Sequence, residues 1–132
     1  MSNPGGRRLI SSGGPFEARG GYSRAVAAGS ACHVAGTTDA GPDGRSLHPG
    51  DVAAQAEAAL GIIEHALSDA GFTLADVVRT RMFVTDIGQA ERVLAVHGRV
   101  FRDIRPAATM VEVARLIDPT LLIEIEADAV RA

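Results

Sequence analysis

The chain has 132 residues, 46% of them hydrophobic and 22% charged, which suffices for one core and excludes a second domain of ordinary size. All 13 basic residues are arginine, so a lysine Schiff base, lysine-anchored pyridoxal phosphate and a P-loop lysine are excluded. A net charge of −3, scattered arginines, no tryptophan and 4% aromatics argue against a nucleic-acid partner.

Residues 1 to about 6 are expected to be a flexible tail on a single 1–132 domain. Arg7 to Ile10 reads as a short edge strand, ended by Ser11-Ser12-Gly13-Gly14-Pro15. Ser23 to Ala28 and Ala31 to Thr37 read as two extended segments joined by a hairpin turn at Gly29-Ser30. Asp39 to Gly50 holds three glycines and two prolines and reads as a loop without a packing signal. At Asp51, a fitting N-cap, the period changes. Val52, Ala56, Ala59, Ile63, Ala66 and Ala70 recur at three- and four-residue spacing and predict a helix ending at Gly71. Val77 to Val84 is predicted as a strand. Gln89 to about Asp103 is predicted as a second amphipathic helix, with Ala90, Val93, Leu94, His97, Val100, Phe101 and Ile104 on one side and Pro106 as its stop. Thr109 to Leu116 and Leu121 to Val130 are the last strands, joined by a turn at Asp118-Pro119.

The N-terminus leads into no apolar h-region, and no apolar run approaches the ~20 residues that span a bilayer. A soluble, cytoplasmic protein without a membrane partner is expected. Cys32 is the single cysteine, so no disulfide forms within the chain. His33, His48, His65 and His97 lack metal-site spacing, no Gly-x-Ser-x-Gly elbow surrounds a serine, and Gly36 and Gly41 do not fit a dinucleotide fingerprint.

The strand–helix–strand unit from Val77 to Leu116 predicts a parallel pair with both helices on one face of the sheet. Alternation then sorts the last strand into an apolar set, Leu121, Ile123, Ile125, Ala127 and Ala129, and a set containing Glu124, Glu126 and Asp128. Arg79 and Arg81 share a face with Val77 and Phe83. Placed with Glu112, Glu124 and Glu126 on the face away from the helices, and beside Phe83, Met110, Leu122 and Val130, they make a surface suited to a subunit interface or cleft; a solvated face is the alternative.

The ordered segments Gly21-Tyr22-Ser23-Arg24-Ala25-Val26, Gln55-Ala56 with Ala59-Leu60, Arg81-Met82-Phe83-Val84-Thr85-Asp86, Arg105-Pro106-Ala107, Val111-Glu112-Val113-Ala114-Arg115-Leu116 and Ile123-Glu124-Ile125-Glu126-Ala127 resemble the YjgF/RidA family of reactive-intermediate deaminases across nearly the whole chain. The resemblance implies a chorismate-mutase-like α+β fold, with a mixed sheet, two helices on one face, and a homotrimeric barrel with clefts between subunits. It implies hydrolysis of small imines and enamines to the carbonyl compound and ammonia, with no metal or organic cofactor. It carries the cleft tyrosine onto Tyr22 and the water-holding glutamate onto Glu124, and it puts Gly36, Ala108 and Met110 beside the ligand.

One position departs from the pattern. Active members read Pro-Ala-Arg, with the arginine gripping the substrate carboxylate, where this chain reads Pro106-Ala107-Ala108. Alanine cannot imitate a guanidinium fork, and Arg105, Arg81 and Arg79 are the nearby candidates to compensate. Two readings follow: a deaminase of altered specificity, or a non-catalytic trimer whose cleft binds a different small molecule. His97, on the apolar side of its helix, is expected to be a hydrogen-bonded core residue.

Overall fold

The computed structural model describes residues 2, 3 and 6–132. Its elements are strand β1 (Ser2–Asn3), β2 (Arg7–Ile10), helix α1 (Pro15–Gly20), β3 (Ala25–Ala28), β4 (Ala31–Thr37), α2 (Val52–Asp69), β5 (Val77–Val84), α3 (Ala90–Val100), β6 (Ala107–Glu112) and β7 (Ile123–Val130). The strands form one seven-stranded sheet in the order β1-β2-β3-β4-β7-β5-β6. The pair β5 and β6 is parallel, with α3 as the crossover between them; the other described pairs are antiparallel. The mixed α+β architecture expected from the sequence is therefore present.

β7 runs through the centre. Ile123, Ile125, Ala127 and Ala129 are at most 1% exposed and face the core, while Glu124, Glu126 and Asp128 between them are half-buried on the opposite face. Asp51 caps α2 by accepting a hydrogen bond from Ala54 N at 3.0 Å, and Gly71, at φ 84°, turns the chain away after it. The α2 stripe is mostly alanine, so the helix lies close against β4, β7 and α3. His97 on α3 places Nε2 2.9 Å from Thr80 Oγ1 and its ring 4.7 Å from Phe101, in the core role expected of it. Burial, which disfavours the imidazolium, lowers its pKa.

Several expectations are corrected. Among the described residues there are three α-helices rather than two, because Pro15 at the first helical position starts α1 and Gly21, at φ 71°, ends it. Ser2–Asn3 of the expected tail pairs with Arg7 and Arg8, and residues 1, 4 and 5 lie outside the described residues. α3 stops at Val100, short of Asp103, and Val96 rather than Leu94 joins Val93 in the core, which rotates the buried stripe. β6 begins at Ala107 and ends at Glu112 instead of running to Leu116.

The register of β5 also corrects the face assignments. A bulge at Val78 lets Val77 pair with Ala129 and Arg79 with Asp128, so Val77 turns into the core while Arg79, Arg81 and Phe83 stay on the open face opposite Asp128, Glu126 and Glu124. Met110 and Glu112 pair with Met82 and Val84, which sets them on the helix side rather than the open face. Glu112 there accepts a hydrogen bond from Ile87 N at 3.0 Å.

Candidate active site

The loop expected to lack packing is held tightly. Asp39 is 2% exposed, and its Oδ2 accepts hydrogen bonds from Ser46 Oγ at 2.8 Å and His48 N at 3.0 Å, with His48 Nδ1 also at 3.0 Å. Gln55 of α2 is wholly buried and clasps this loop to the segment before β7: its Nε2 donates to His48 O at 3.1 Å and Thr120 O at 3.0 Å, and its Oε1 accepts from Leu122 N at 2.8 Å. These bonds fix one wall of a cleft of about 1220 Å³, closed on its other sides by α1 and the outer face of α2.

Phe16, Leu47, Ala58 and Ile62 line the apolar side of the cleft; Tyr22, Arg24, Gly36 and Glu124 are at its polar side. Gly21 ends α1 and delivers Tyr22 to the rim, half-exposed, two residues before the buried Arg24. The pairing of β4 with β7 slips between Val34 and Thr37, and Gly36 falls in that slip. Without a side chain, Gly36 lets the Glu124 carboxylate lie across it; an added Cβ would land on Glu124 Oε2.

Arg24 reaches the same residue from the other side. It is 9% exposed, and Nη1 donates to Gly36 O at 2.9 Å and Thr37 Oγ1 at 3.0 Å. Its guanidinium carbon is 5.8 Å from the Tyr22 ring centroid. Burial, the largest influence on Glu124, raises its carboxyl pKa; the Arg24 charge opposes this and the Glu126 charge adds to it, and the net result is upward. Among the described residues, no donor is hydrogen-bonded to the Glu124 carboxylate. A half-buried carboxylate with free lone pairs, facing an open cleft, is equipped to accept a proton from water.

Glu17 of α1 completes the charge set. Burial is its largest influence and raises its pKa, but hydrogen bonds from Ser12 Oγ at 2.5 Å and Ser12 N at 3.1 Å, with the Ser11 hydroxyl and the Arg24 charge, bring it below the ordinary value.

Of the residues expected at the site, Tyr22, Gly36 and Glu124 line the cleft together. Ala108 and Met110 do not: they lie on β6, separated from β4 by β7 and β5. The arginines considered as substitutes are also elsewhere. Arg81 Nη1 lies 3.5 Å from Glu126 Oε1 and 3.4 Å from Asp128 Oδ2, Arg79 is opposite Asp128, and Arg105 is exposed at φ 56° before Pro106. Arg24 and Glu17 are the residues that sequence reasoning missed. Arg24 stood inside a quoted motif, two positions after Tyr22 and so on the same side of an extended segment, which is the signal that could have found it.

A family model described as Endoribonuclease L-PSP matches residues 14–131. The crystal structure of Rv2704 from Mycobacterium tuberculosis, described as a member of the YjgF/YER057c/UK114 family, is 53% identical, with a TM-score of 0.86 over 95% of this chain and 99% of that one. The protein named 3-aminoacrylate deaminase RutC from Acinetobacter baylyi is 35% identical over 104 residues, 79% of this chain and 82% of its own. E. coli TdcF, solved with bound serine, is 29% identical, with a TM-score of 0.76 over 95% of this chain and 94% of that one.

Proposed function

The chain belongs to the YjgF/RidA family, and we propose from that membership that it hydrolyses small reactive imines or enamines, without a cofactor, in clefts formed between the subunits of a homotrimer. The observation that carries this reading is the Glu124 carboxylate, raised by burial and open to the cleft across Gly36.

The chemistry asks little of the protein. Water adds to the carbon of the protonated C=N bond and gives one proton to Glu124, leaving a neutral carbinolamine; Glu124 returns that proton to the nitrogen, and ammonia leaves as the hydroxyl oxygen gives up its own proton to the carboxylate and becomes the carbonyl. An enamine first takes a proton at carbon and enters the same route as its imine. Such compounds already hydrolyse in water, so orientation of the C=N carbon against a held water supplies much of the rate. Tyr22 lines the site, and the main chain at Gly36 helps to orient the ligand. In a trimer, the open sheet face carrying Arg79, Arg81, Glu126 and Asp128 would be covered by neighbouring copies, and β6 with Ala108 and Met110 would complete each cleft. A deaminase among the relatives, at 35% identity, supports the reaction class. A cytoplasmic setting suits a chain whose lone cysteine, Cys32, is buried and unpaired.

The test is ammonia release from enzymatically generated 2-iminobutanoate. Release faster than in buffer, and lost in Glu124→Gln, is expected; a rate equal to buffer defeats the reading for that substrate. Ala108 favours a second reading, a non-catalytic trimer binding another small molecule, because the arginine of active members is absent there. Saturable ligand binding in the cleft, with ammonia release no faster than in buffer across a panel of imines, would select it.

A further inference from the structure

We infer that Arg24 forms a carboxylate-binding site in the cleft, presenting its Nε–Nη2 edge to a ligand, so that loss of the arginine at position 108 does not remove anion recognition. This rests on the hydrolase reading for its substrate class, imines with a carboxylate next to the C=N carbon, but the binding site itself does not require turnover.

The donors of the Arg24 guanidinium are unequally used. Nη1 spends both its hydrogens on Gly36 O and Thr37 Oγ1, which locks the plane of the group. Nε is buried and no acceptor faces it among the described residues. Nη2 makes no hydrogen bond to the described residues either. Nε–H and Nη2–H point the same way, and that edge is the fork that receives two carboxylate oxygens. A buried donor without an acceptor costs free energy in a folded chain and is rare; a ligand oxygen on Nε would remove the cost.

The surroundings fit an acid that also bears a C=N group. Glu17 is near enough to feel the Arg24 charge, but its Oε2 is engaged by Ser12 Oγ and Ser12 N rather than by the guanidinium. Glu124 lies across Gly36, the residue whose carbonyl holds Nη1. Glu124 is also near enough to feel the Arg24 charge, so a carboxylate held on the Nε–Nη2 edge shares the cleft with the proposed base. Tyr22, 44% exposed and lining the same cleft, holds its ring centroid 5.8 Å from the guanidinium carbon.

The test is equilibrium binding of 2-oxobutanoate, a stable stand-in for the imino acid, against its neutral amide by titration calorimetry at fixed ionic strength. The unaltered protein should bind the acid about tenfold or more tightly than the amide. Arg24→Gln should lose that preference, Arg24→Lys should keep part of it, and Arg19→Gln, an exposed arginine of the same cleft, should keep all of it. Equal binding of acid and amide, an unchanged acid affinity in Arg24→Gln, loss of the preference in Arg19→Gln, or no binding of the acid at millimolar concentration would each overturn the inference. If Arg24→Gln does not fold, Arg24→Lys decides: a preference equal to that of the unaltered protein would show that the fork is not used. Acid binding that depends on Arg24 without ammonia release would defeat the hydrolase reading alone, and ammonia release without that dependence would defeat this inference alone.

Discussion

Glu124 rests its carboxylate over the Cα of Gly36, in the volume that a side chain at position 36 would occupy. The absence of one methyl group therefore sets where the proposed base stands. Gly36→Ala would force Glu124 out of its position, and because the obstructed atoms belong to the end of a flexible side chain, the fold should survive. We expect turnover to fall about tenfold or more, since a displaced base no longer lines up with water. Thermal unfolding should shift by a few degrees at most. Unchanged turnover in a folded Gly36→Ala would show that the seat of Glu124 does not matter.

Glu124 and Glu17 should respond to pH with opposite signs. Burial lifts Glu124 above its ordinary value of 4.5, so the folded protein binds more protons there than the unfolded chain, and the Glu124 contribution to stability falls as pH rises from about 4.5 through the folded pKa. Glu17 is net lowered from 4.5, so its contribution is full above that value and is lost as pH falls through the folded pKa. Urea midpoints against pH should show Glu124→Gln flattening the first trend and Glu17→Gln the second. Turnover should rise with pH to a plateau whose midpoint lies above 4.5.

Gln55 is the clasp on which the cleft wall depends. Gln55→Ala leaves Thr120 O and Leu122 N without their partner, leaves His48 O with Asp51 N alone and opens a small cavity, a loss of about 3 kcal/mol. Urea denaturation should register it, and the loop at 39–50 should become the preferred site of limited proteolysis. A midpoint unchanged from the parent would mean that the three bonds contribute nothing net.

Ala108 offers a check on assembly. It is exposed on β6, so an arginine is accommodated without a cost to the core. If a neighbouring copy brings β6 to the cleft, Ala108→Arg adds a second cation there and should raise turnover of 2-iminobutanoate. Light scattering should report particles of three 13.7 kDa chains for parent and variant alike. A trimeric, folded variant without gain would argue against a cleft that lacks only this group, and single chains in solution would remove the inter-subunit cleft altogether.

Much of the fold was legible because its signals are periodic. β5 matches its predicted ends, Val77 and Val84, because alternating residues are bounded by turn residues, and α2 begins at the residue after its predicted cap. α1 was missed because six residues are too few to show a helical period. The sorting of β5 failed at Val77 because a bulge changes phase without changing composition. Tyr22, Gly36 and Glu124 come from distant stretches, and only the ordered family motifs joined them before the fold was known. Arg24 escaped because Arg105 lies three residues before position 108 and Arg79 and Arg81 lie on the neighbouring strand β5; the sheet order puts β5 two strands from β4, on which Gly36 lies.

The extra residue at Val78 makes β5 tolerant at one point. Val77 faces the oil before it and Thr80 faces the oil after it, so excising Val78 would restore simple alternation and leave both sides as they are. Excision of Thr80 would instead make Arg79 and Arg81 adjacent and turn one of the two guanidiniums inward. Alignment gaps among homologues should therefore gather at 78, and a chain shortened there should still assemble its two faces correctly.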